Sequence, residues 1–336
     1  MVPQPWTAYL DRCADERLRE GLIADLLADP ATRVVDWSSD GALIDTSLDG
    51  AARSTRLALR PGSAYPHPGL AFFLGRDDTG SAWVAVVTDE PREPGEPGHV
   101  AGASGAPGAA EPVRLGLRDI GHRLPGVELE AYLTTQALAG WHRNHPCCPR
   151  CGAPTVATHA GWVRRCEADG SEHYPRCDPA VIMAVTDPDD RLLLARAPAW
   201  PQNRRSVLAG FVEPGERLEM AVAREVAEEV GLAVDDIEYV GSQPWPFPAS
   251  LMLGFTARAG TADLRIDDGE IAAAEWYTRE QLRAVVADGT LGLPGRLSIA
   301  RRLIEGWFGE PLTPQREVPF HRPDASHLDG PPSSGR

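Results

Sequence analysis

Between Gly210 and Leu232 the chain reads GFVEPGERLEMAVAREVAEEVGL, and no other stretch of the 336 residues restricts the fold as much. Gly210 and Pro214-Gly215 are turn punctuation, so the first third is expected to be strand end and loop. From Leu218 the period becomes helical. Leu218, Val222, Val226 and Val230 recur every four residues and make an apolar stripe for a core. Gly231 follows the last periodic residue, where a helix end takes left-handed backbone. Glu225, Glu228 and Glu229 stand at i, i+3 and i+4 of the same helix, so their carboxylates share one face at the edge of the core. At about 6 Å and an effective dielectric of about 20, each pair repels by roughly 3 kcal/mol. A divalent cation removes that cost. Oxygen-only donors suit Mg²⁺ or Mn²⁺, and either ion can hold a diphosphate and polarise its phosphorus. An isolated pair of glutamates would read as a solvated acidic face with an Arg224–Glu228 surface pair; the complete spacing favours the metal.

The net charge of -15 argues against a chain built to hold nucleic acid non-specifically, although it leaves room for a local basic patch. No apolar run approaches the roughly 18 residues of a membrane helix, and no charged-then-apolar leader opens the chain. The expectation is no membrane association and a cytoplasmic protein. Of six cysteines, three crowd between Cys147 and Cys151, which suits a metal site in a reducing compartment better than a disulfide framework. Cys148 and Cys151 form a CxxC followed by Gly152, as in a zinc ribbon, and Cys166 falls where the far hairpin of such a ribbon would be. Structural zinc takes four ligands. A second CxxC would place cysteine at 169, where this chain has Asp169. Asp169, His173 and Cys177 are alternatives for the fourth ligand, and a metal-free relic of the ribbon is the competing reading. Cys13 and Cys147 read as spare thiols.

The length allows two or three domains. Residues 1–140 read as an N-terminal α+β domain, with a helix through Leu18, Leu22, Leu26 and Leu27 and short strands at Leu57–Leu59, Leu70–Leu74 and Trp83–Val87. The Gly-, Pro- and Ala-rich run over 90–112 reads as a flexible linker within it. A strand at Leu115–Leu117 and a helix over Leu129–Arg143 follow. Residues 145–178 form the ribbon-like module. Residues 179–312 carry strands at Ala180–Val185, Arg191–Ala195, Ser206–Phe211, Ile237–Gly241, Leu251–Arg258 and Glu275–Tyr277, the Leu218–Val230 helix, and helices at Arg279–Asp288 and Arg296–Phe308. Mixed strands with helices on both faces imply an α/β/α sandwich, so the chain is α/β overall. Residues 313–336 read as a disordered tail.

Ser242–Ser250 reads SQPWPFPAS, in which three prolines and two aromatics predict a stiff, pre-shaped loop. Trp245 and Phe247 offer flat faces for a base or a nicotinamide ring, and Gln243 and Ser250 offer polar contacts.

The Gly210–Leu232 stretch resembles the full signature of the Nudix hydrolase family. With SQPWPFPAS, the ribbon and the HYPR run at His173–Arg176, residues 140–310 resemble the NAD(H) pyrophosphatase branch of that family. The resemblance implies a Nudix α/β/α sandwich with a zinc-ribbon-like insert. It implies Mg²⁺ or Mn²⁺ on Glu225, Glu229, Glu270 and the carbonyl of Ala209, with Glu228 between the two helix ligands. It implies catalysis by Glu229, Glu225 and Glu228, with Glu229 orienting or deprotonating the attacking water. Substrate contacts are implied at Tyr174, at Gln243, Pro244, Trp245, Pro246, Phe247, Pro248, Ala249 and Ser250, and at the backbone of Ala300. Arg224 and Glu216 are implied to brace the signature loop. Gly161 departs from the acidic substrate contact expected there. The implied activity is hydrolysis of NADH or NAD⁺ to nicotinamide mononucleotide and AMP, with removal of NAD caps from RNA as a second activity, zinc in the ribbon and a homodimer. The rival readings are a Nudix enzyme for another nucleoside diphosphate derivative, such as ADP-ribose or a diadenosine polyphosphate, and a non-catalytic RNA-binding module.

Overall fold

The computed structural model describes residues 9–46, 48–49, 52–89, 111–266 and 269–312. All but residues 111 and 112 of the expected 90–112 linker, and the expected tail from 313, lie outside the described residues.

The N-terminal part opens with a short turn of helix at Glu16–Leu18 and then α1 (Leu22–Ala28). Gly21 between them takes φ 73°, so the single helix expected through Leu18 is broken there. Strands β1 (Arg33–Ser38), β2 (Gly41–Asp45), β3 (Leu48–Asp49), β4 (Ala52–Arg53), β5 (Arg56–Leu57), β6 (Leu70–Arg76), β7 (Ala82–Val87) and β8 (Val113–Leu115) follow. They make a sheet in the order β5-β2-β1-β7-β6 with β8 on β2, while β3 and β4 pair separately. The strand expected at 115–117 stops at Leu115, because Gly116 caps α2 (Leu117–Ile120). Helix α3 (Gly126–Asn144) covers this sheet, and the core between them includes Trp37, Phe72, Trp83 and Tyr132.

The ribbon is a three-stranded antiparallel sheet of β9 (Thr155–Thr158), β10 (Val163–Cys166) and β11 (Glu172–His173). It is fastened to α3 through buried His142, whose Nε2 lies 2.8 Å from the Gly161 carbonyl and whose Nδ1 lies 2.7 Å from Nη1 of Arg164. The carbonyl can only accept and the guanidinium can only donate, so the imidazole is neutral with its proton on Nε2. Burial, with the Arg164 charge, pushes its pKa down to about 4.

The second large sheet is built from β12 (Asp178–Thr186), β13 (Leu192–Arg196), β14 (Leu208–Phe211), β15 (Val234–Trp245), β16 (Ser250–Ala259) and β17 (Ala273–Tyr277). Its order is β15-β16-β12-β13-β17, with β14 on β12 and with β12 parallel to β16. Strand alternation then sets the layers. Val181, Met183 and Val185 of β12 pack under Val222, Val226 and Val230 of α4 (Leu218–Val230). Ile182 and Ala184 face the other way, onto Leu282 of α5 (Arg279–Ala287) and Leu303, Ile304 and Phe308 of α6 (Ile299–Phe308). The result is the expected sandwich. Helix α6 begins three residues later than expected because Ser298 caps it, its hydroxyl accepting from the Ala300 N–H at 3.2 Å.

One expectation needs correction. The aromatic and proline-rich stretch is mostly strand. β15 runs on through Gln243, Pro244 and Trp245, paired with Met252, Leu251 and Ser250 of β16, so only Pro246–Ala249 forms the turn. Proline is compatible with this ladder because β15 is the sheet edge. No helix among the described residues is long and apolar enough to cross a membrane.

Candidate active site

Helix α4 delivers the carboxylates. Its valines are buried, Gly231 ends it at φ 69°, and the face one step round from the stripe places Glu225 and Glu229 only 8% and 7% exposed. Glu225 lies over β14, where Gly210 makes room. A Cβ at that glycine would fall 1.8 Å from the Glu225 Cδ, so any larger residue would displace the carboxylate. Gly210 is therefore a strand residue that seats the Glu225 carboxylate, a role that its reading as turn punctuation did not contain.

Arg224 ties the loop to the helix. Its Nε and Nη2 each donate at 2.9 Å to the two oxygens of Glu216, and its Nη1 donates to Glu225 at 2.8 Å and Glu228 at 2.9 Å. Nη2 also reaches the Phe211 carbonyl at 2.9 Å, and Glu216 accepts from the Glu213 N–H at 3.1 Å. Three carboxylates raise the guanidinium pKa, the bond to Glu216 contributing most, and the same bond lowers that of Glu216. The bracing role read for Arg224 and Glu216 matches this geometry.

Among the described residues Glu229 makes no such ion pair. Its Oε2 is buried without a hydrogen bond. Burial first, then the fields of Glu225, Glu270 and Glu228, push its carboxyl up to about 8. Burial also raises Glu225, against the opposing pull of Arg224. A buried oxygen without a donor, among three other carboxylates and no nearby cation of its own, is a site short of positive charge. Its donors are oxygens alone, the set that fits Mg²⁺ or Mn²⁺. Glu270 is exposed, just before Ile271, and shares the field of both buried glutamates; Asp267 and Asp268 lie outside the described residues. Ala209 pairs with Ile182 on β14, next to the Gly210 seat.

The residues read as substrate contacts divide. The side-chain amide of Gln243 is spent inside the fold: its Nε2 donates to the Leu297 carbonyl and its Oε1 accepts from the Ile299 N–H, both at 2.6 Å. It locks β15 to the start of α6, where Ala300 sits with its N–H on the Ser298 cap. Trp245 and Phe247 meet edge to face at 5.2 Å, and Arg118 of α2 lies 4.1 Å from the Phe247 ring centroid and 5.5 Å from that of Trp245. Phe247 also packs against the N-terminal core. The two rings are thus partly claimed by the N-terminal domain, and no local pattern around residue 118 signals that. Tyr174 is 65% exposed, its hydroxyl 3.0 Å from Glu172.

In the ribbon, Cys148, Cys151, Cys166 and Asp169 gather with their ligand atoms all within 4.8 Å of one another. His173 and Cys177 are not in that group. Two matching knuckles build it. Gly152 N–H closes on the Cys148 carbonyl at 2.9 Å and Gly170 N–H on that of Cys166 at 3.1 Å, with both glycines at positive φ. Backbone N–H groups of Arg150 and Asp169 point at the Cys148 and Cys166 sulfurs at 3.4 and 3.5 Å. The hydroxyl and N–H of Ser171 hold the Asp169 carboxyl down to about 2, so it is an anion ready to ligate. Three thiols and a carboxylate in a closed group are a donor set that zinc accepts.

Residues 177–292 match the NUDIX domain, and residues 143–174 match the NADH pyrophosphatase zinc ribbon domain. The chain is 47% identical over 200 residues to the "NAD-capped RNA hydrolase NudC" of Mycobacterium bovis (strain BCG / Pasteur 1173P2), over 57% of this chain and 64% of that protein. It is 40% identical over 195 residues to the "NAD-capped RNA hydrolase NUDT12" of Homo sapiens, over 54% of this chain and 42% of that protein. The chain therefore spans less than two thirds of the length of the curated relatives it matches. Among solved structures it is similar to a NUDIX hydrolase from Nitrosomonas europaea, at 20% identity and a TM-score of 0.39, covering 49% of this chain and 94% of that one.

Glu229 sets a pH dependence of the metal-free protein. Its carboxyl titrates near 4.5 when unfolded and at about 8 when folded. The folded state therefore holds a proton that the unfolded chain has released, and the stability this gives below about 4.5 is lost as pH rises towards about 8. With chelator present, the unfolding midpoint is expected to fall across that span, and Glu229→Gln to remove most of the fall. A decline of equal size in the variant would contradict the assignment.

Proposed function

We propose, taking as premise that this chain belongs to the Nudix hydrolases through its NUDIX domain and carries an NADH pyrophosphatase zinc ribbon ahead of it, that it hydrolyses the diphosphate of NADH or NAD⁺ to nicotinamide mononucleotide and AMP. The observation that carries the reading is the buried pair Glu225 and Glu229, with the Glu229 Oε2 left without a donor. The relatives named as NAD-capped RNA hydrolases and the SQPWPFPAS segment support the choice of substrate, and removal of NAD caps from RNA is carried with it.

Glu225, Glu229, Glu270 and the Ala209 carbonyl would hold Mg²⁺ or Mn²⁺. When bound, the ion supplies charge neutralisation for the diphosphate and lowers the pKa of an attacking water. The chain's own part is positioning. Gly210 and Arg224 fix Glu225 from two sides. Glu229, with its free oxygen, accepts the proton of the water. The β15–β16 hairpin, locked by Gln243 and braced by Arg118, would hold the dinucleotide.

A single chromatographic assay of NADH with Mg²⁺ or Mn²⁺ tests this. Equal amounts of AMP and reduced nicotinamide mononucleotide are expected, and Glu229→Gln is expected to cost about 10²-fold or more in turnover with folding intact. No cleavage of NADH alongside rapid cleavage of ADP-ribose or a diadenosine polyphosphate would overturn the substrate assignment.

For the ribbon we propose structural zinc on Cys148, Cys151, Cys166 and Asp169. Elemental analysis is expected to give about one zinc per chain, Asp169→Ala to lower it, and Asp169→Cys to keep it. Zinc well below half an equivalent in the unaltered protein would favour the metal-free relic.

A further inference from the structure

We propose that a cleft of about 450 Å³, where the N-terminal domain, the ribbon and the β15–β16 hairpin meet, takes the first nucleotide of an RNA that continues beyond an NAD cap. The inference rests on the functional reading above and adds to it a site for the RNA itself.

The cleft has the chemistry of a single-stranded nucleic-acid track. Arg12, Arg17 and Arg176 line it against one acid, Glu130, in a chain whose net charge is -15. Trp162 and Trp245 supply aromatic surface beside the arginines. Cations interleaved with aromatic faces bind a phosphate and stack a base with little dependence on sequence. A volume of about 450 Å³ lies within the range of nucleotide-sized pockets.

Arg17 is the central group. Arg12 is paired with Glu130 at 3.1 Å, and Arg176 with Asp178 at 2.6 Å. Among the described residues Arg17 makes no ion pair. Its Nε and Nη2 donate to the Arg12 carbonyl at 3.1 and 2.7 Å, and its guanidinium stacks 3.7 Å from the Trp162 ring centroid. Trp162 is itself fixed by an indole N–H bond of 2.7 Å to the Phe73 carbonyl. The cation is therefore held in place, and among the described residues its Nη1 makes no hydrogen bond. Burial and the charge of Arg12 lower its pKa, which an arriving phosphate would reverse.

Position completes the case. The cleft's far wall is Pro244–Pro246 and Ala249–Leu251, the hairpin proposed to hold the dinucleotide. Ser250 pairs with Asp178, and Ala180, two residues on, pairs with Phe211 beside the Gly210 seat. At about 3.3 Å per strand residue the offset along the strands is about 7–10 Å, and two strand spacings of about 4.8 Å separate β16 from β14, so the cleft wall and the carboxylate seat lie roughly 12–14 Å apart. An RNA that continues from a cap cleaved at Glu229 can thus extend to the hairpin wall of the cleft that Arg17 also lines.

The test compares NADH with a short NAD-capped RNA on the full chain. Arg17→Gln is expected to lower kcat/KM for capped RNA about tenfold and its salt slope by about one, leaving NADH hydrolysis unchanged. In the unaltered enzyme, raising salt from about 50 to about 200 mM should slow capped RNA more than NADH, a result independent of whether any variant folds. Equal salt slopes, equal losses on both substrates, or an enzyme that cleaves NADH but not capped RNA would each overturn the inference. Failure to cleave NADH at all would instead remove the functional reading on which it rests.

Discussion

Two carboxylates held out of water, one of them with an oxygen that lacks a donor, are the constraint around which the C-terminal half is arranged. Burying a carboxylate carries a desolvation cost of several kcal/mol unless a cation or hydrogen bonds offset it. Glu225 is offset by Arg224, which also binds Glu216, Glu228 and the Phe211 carbonyl. The Oε2 of Glu229 has no such partner among the described residues. The loop, the glycine seat and the helix therefore form one frame that leaves an electrostatic demand unmet among the described residues, one that a divalent cation with a diphosphate would meet.

The rest of the molecule builds the other side of the site. The β15–β16 hairpin is an edge, and an edge alone would be loosely placed. Gln243 fastens it to α6 with two hydrogen bonds, and Arg118 together with the N-terminal core fastens Phe247. His142 and Arg164 couple α3 to the ribbon in turn. The N-terminal domain, in which the sequence shows no catalytic constellation, thus supplies the surface against which the β15–β16 hairpin is set.

What could be read in advance was what depends on local spacing. The α4 stripe, the Gly231 cap and the shared face of Glu225, Glu228 and Glu229 all lie within one helix, where a period of 3.6 determines direction. The CxxC and the lone Cys166 located the ribbon for the same reason. What escaped depends on distant partners. Three prolines read as loop, whereas edge pairing to Leu251 and Met252 extends the strand through them. Asp169 could be separated from His173 and Cys177 only once the second knuckle was seen to repeat the first. Arg118 reaches the hairpin from a separate domain, and Arg17 reaches Trp162 across 145 positions of chain, so neither has a local signal.

The central claim is that a divalent cation relieves the burial of Glu225 and Glu229. Thermal unfolding of the metal-free protein near pH 8, with and without Mg²⁺ or Mn²⁺, tests it most directly. The account predicts a midpoint that rises with ion concentration in the unaltered protein, through ligand linkage, and no rise when both glutamates are changed to glutamine. A midpoint insensitive to the ions, or an equal rise in the double variant, would contradict it.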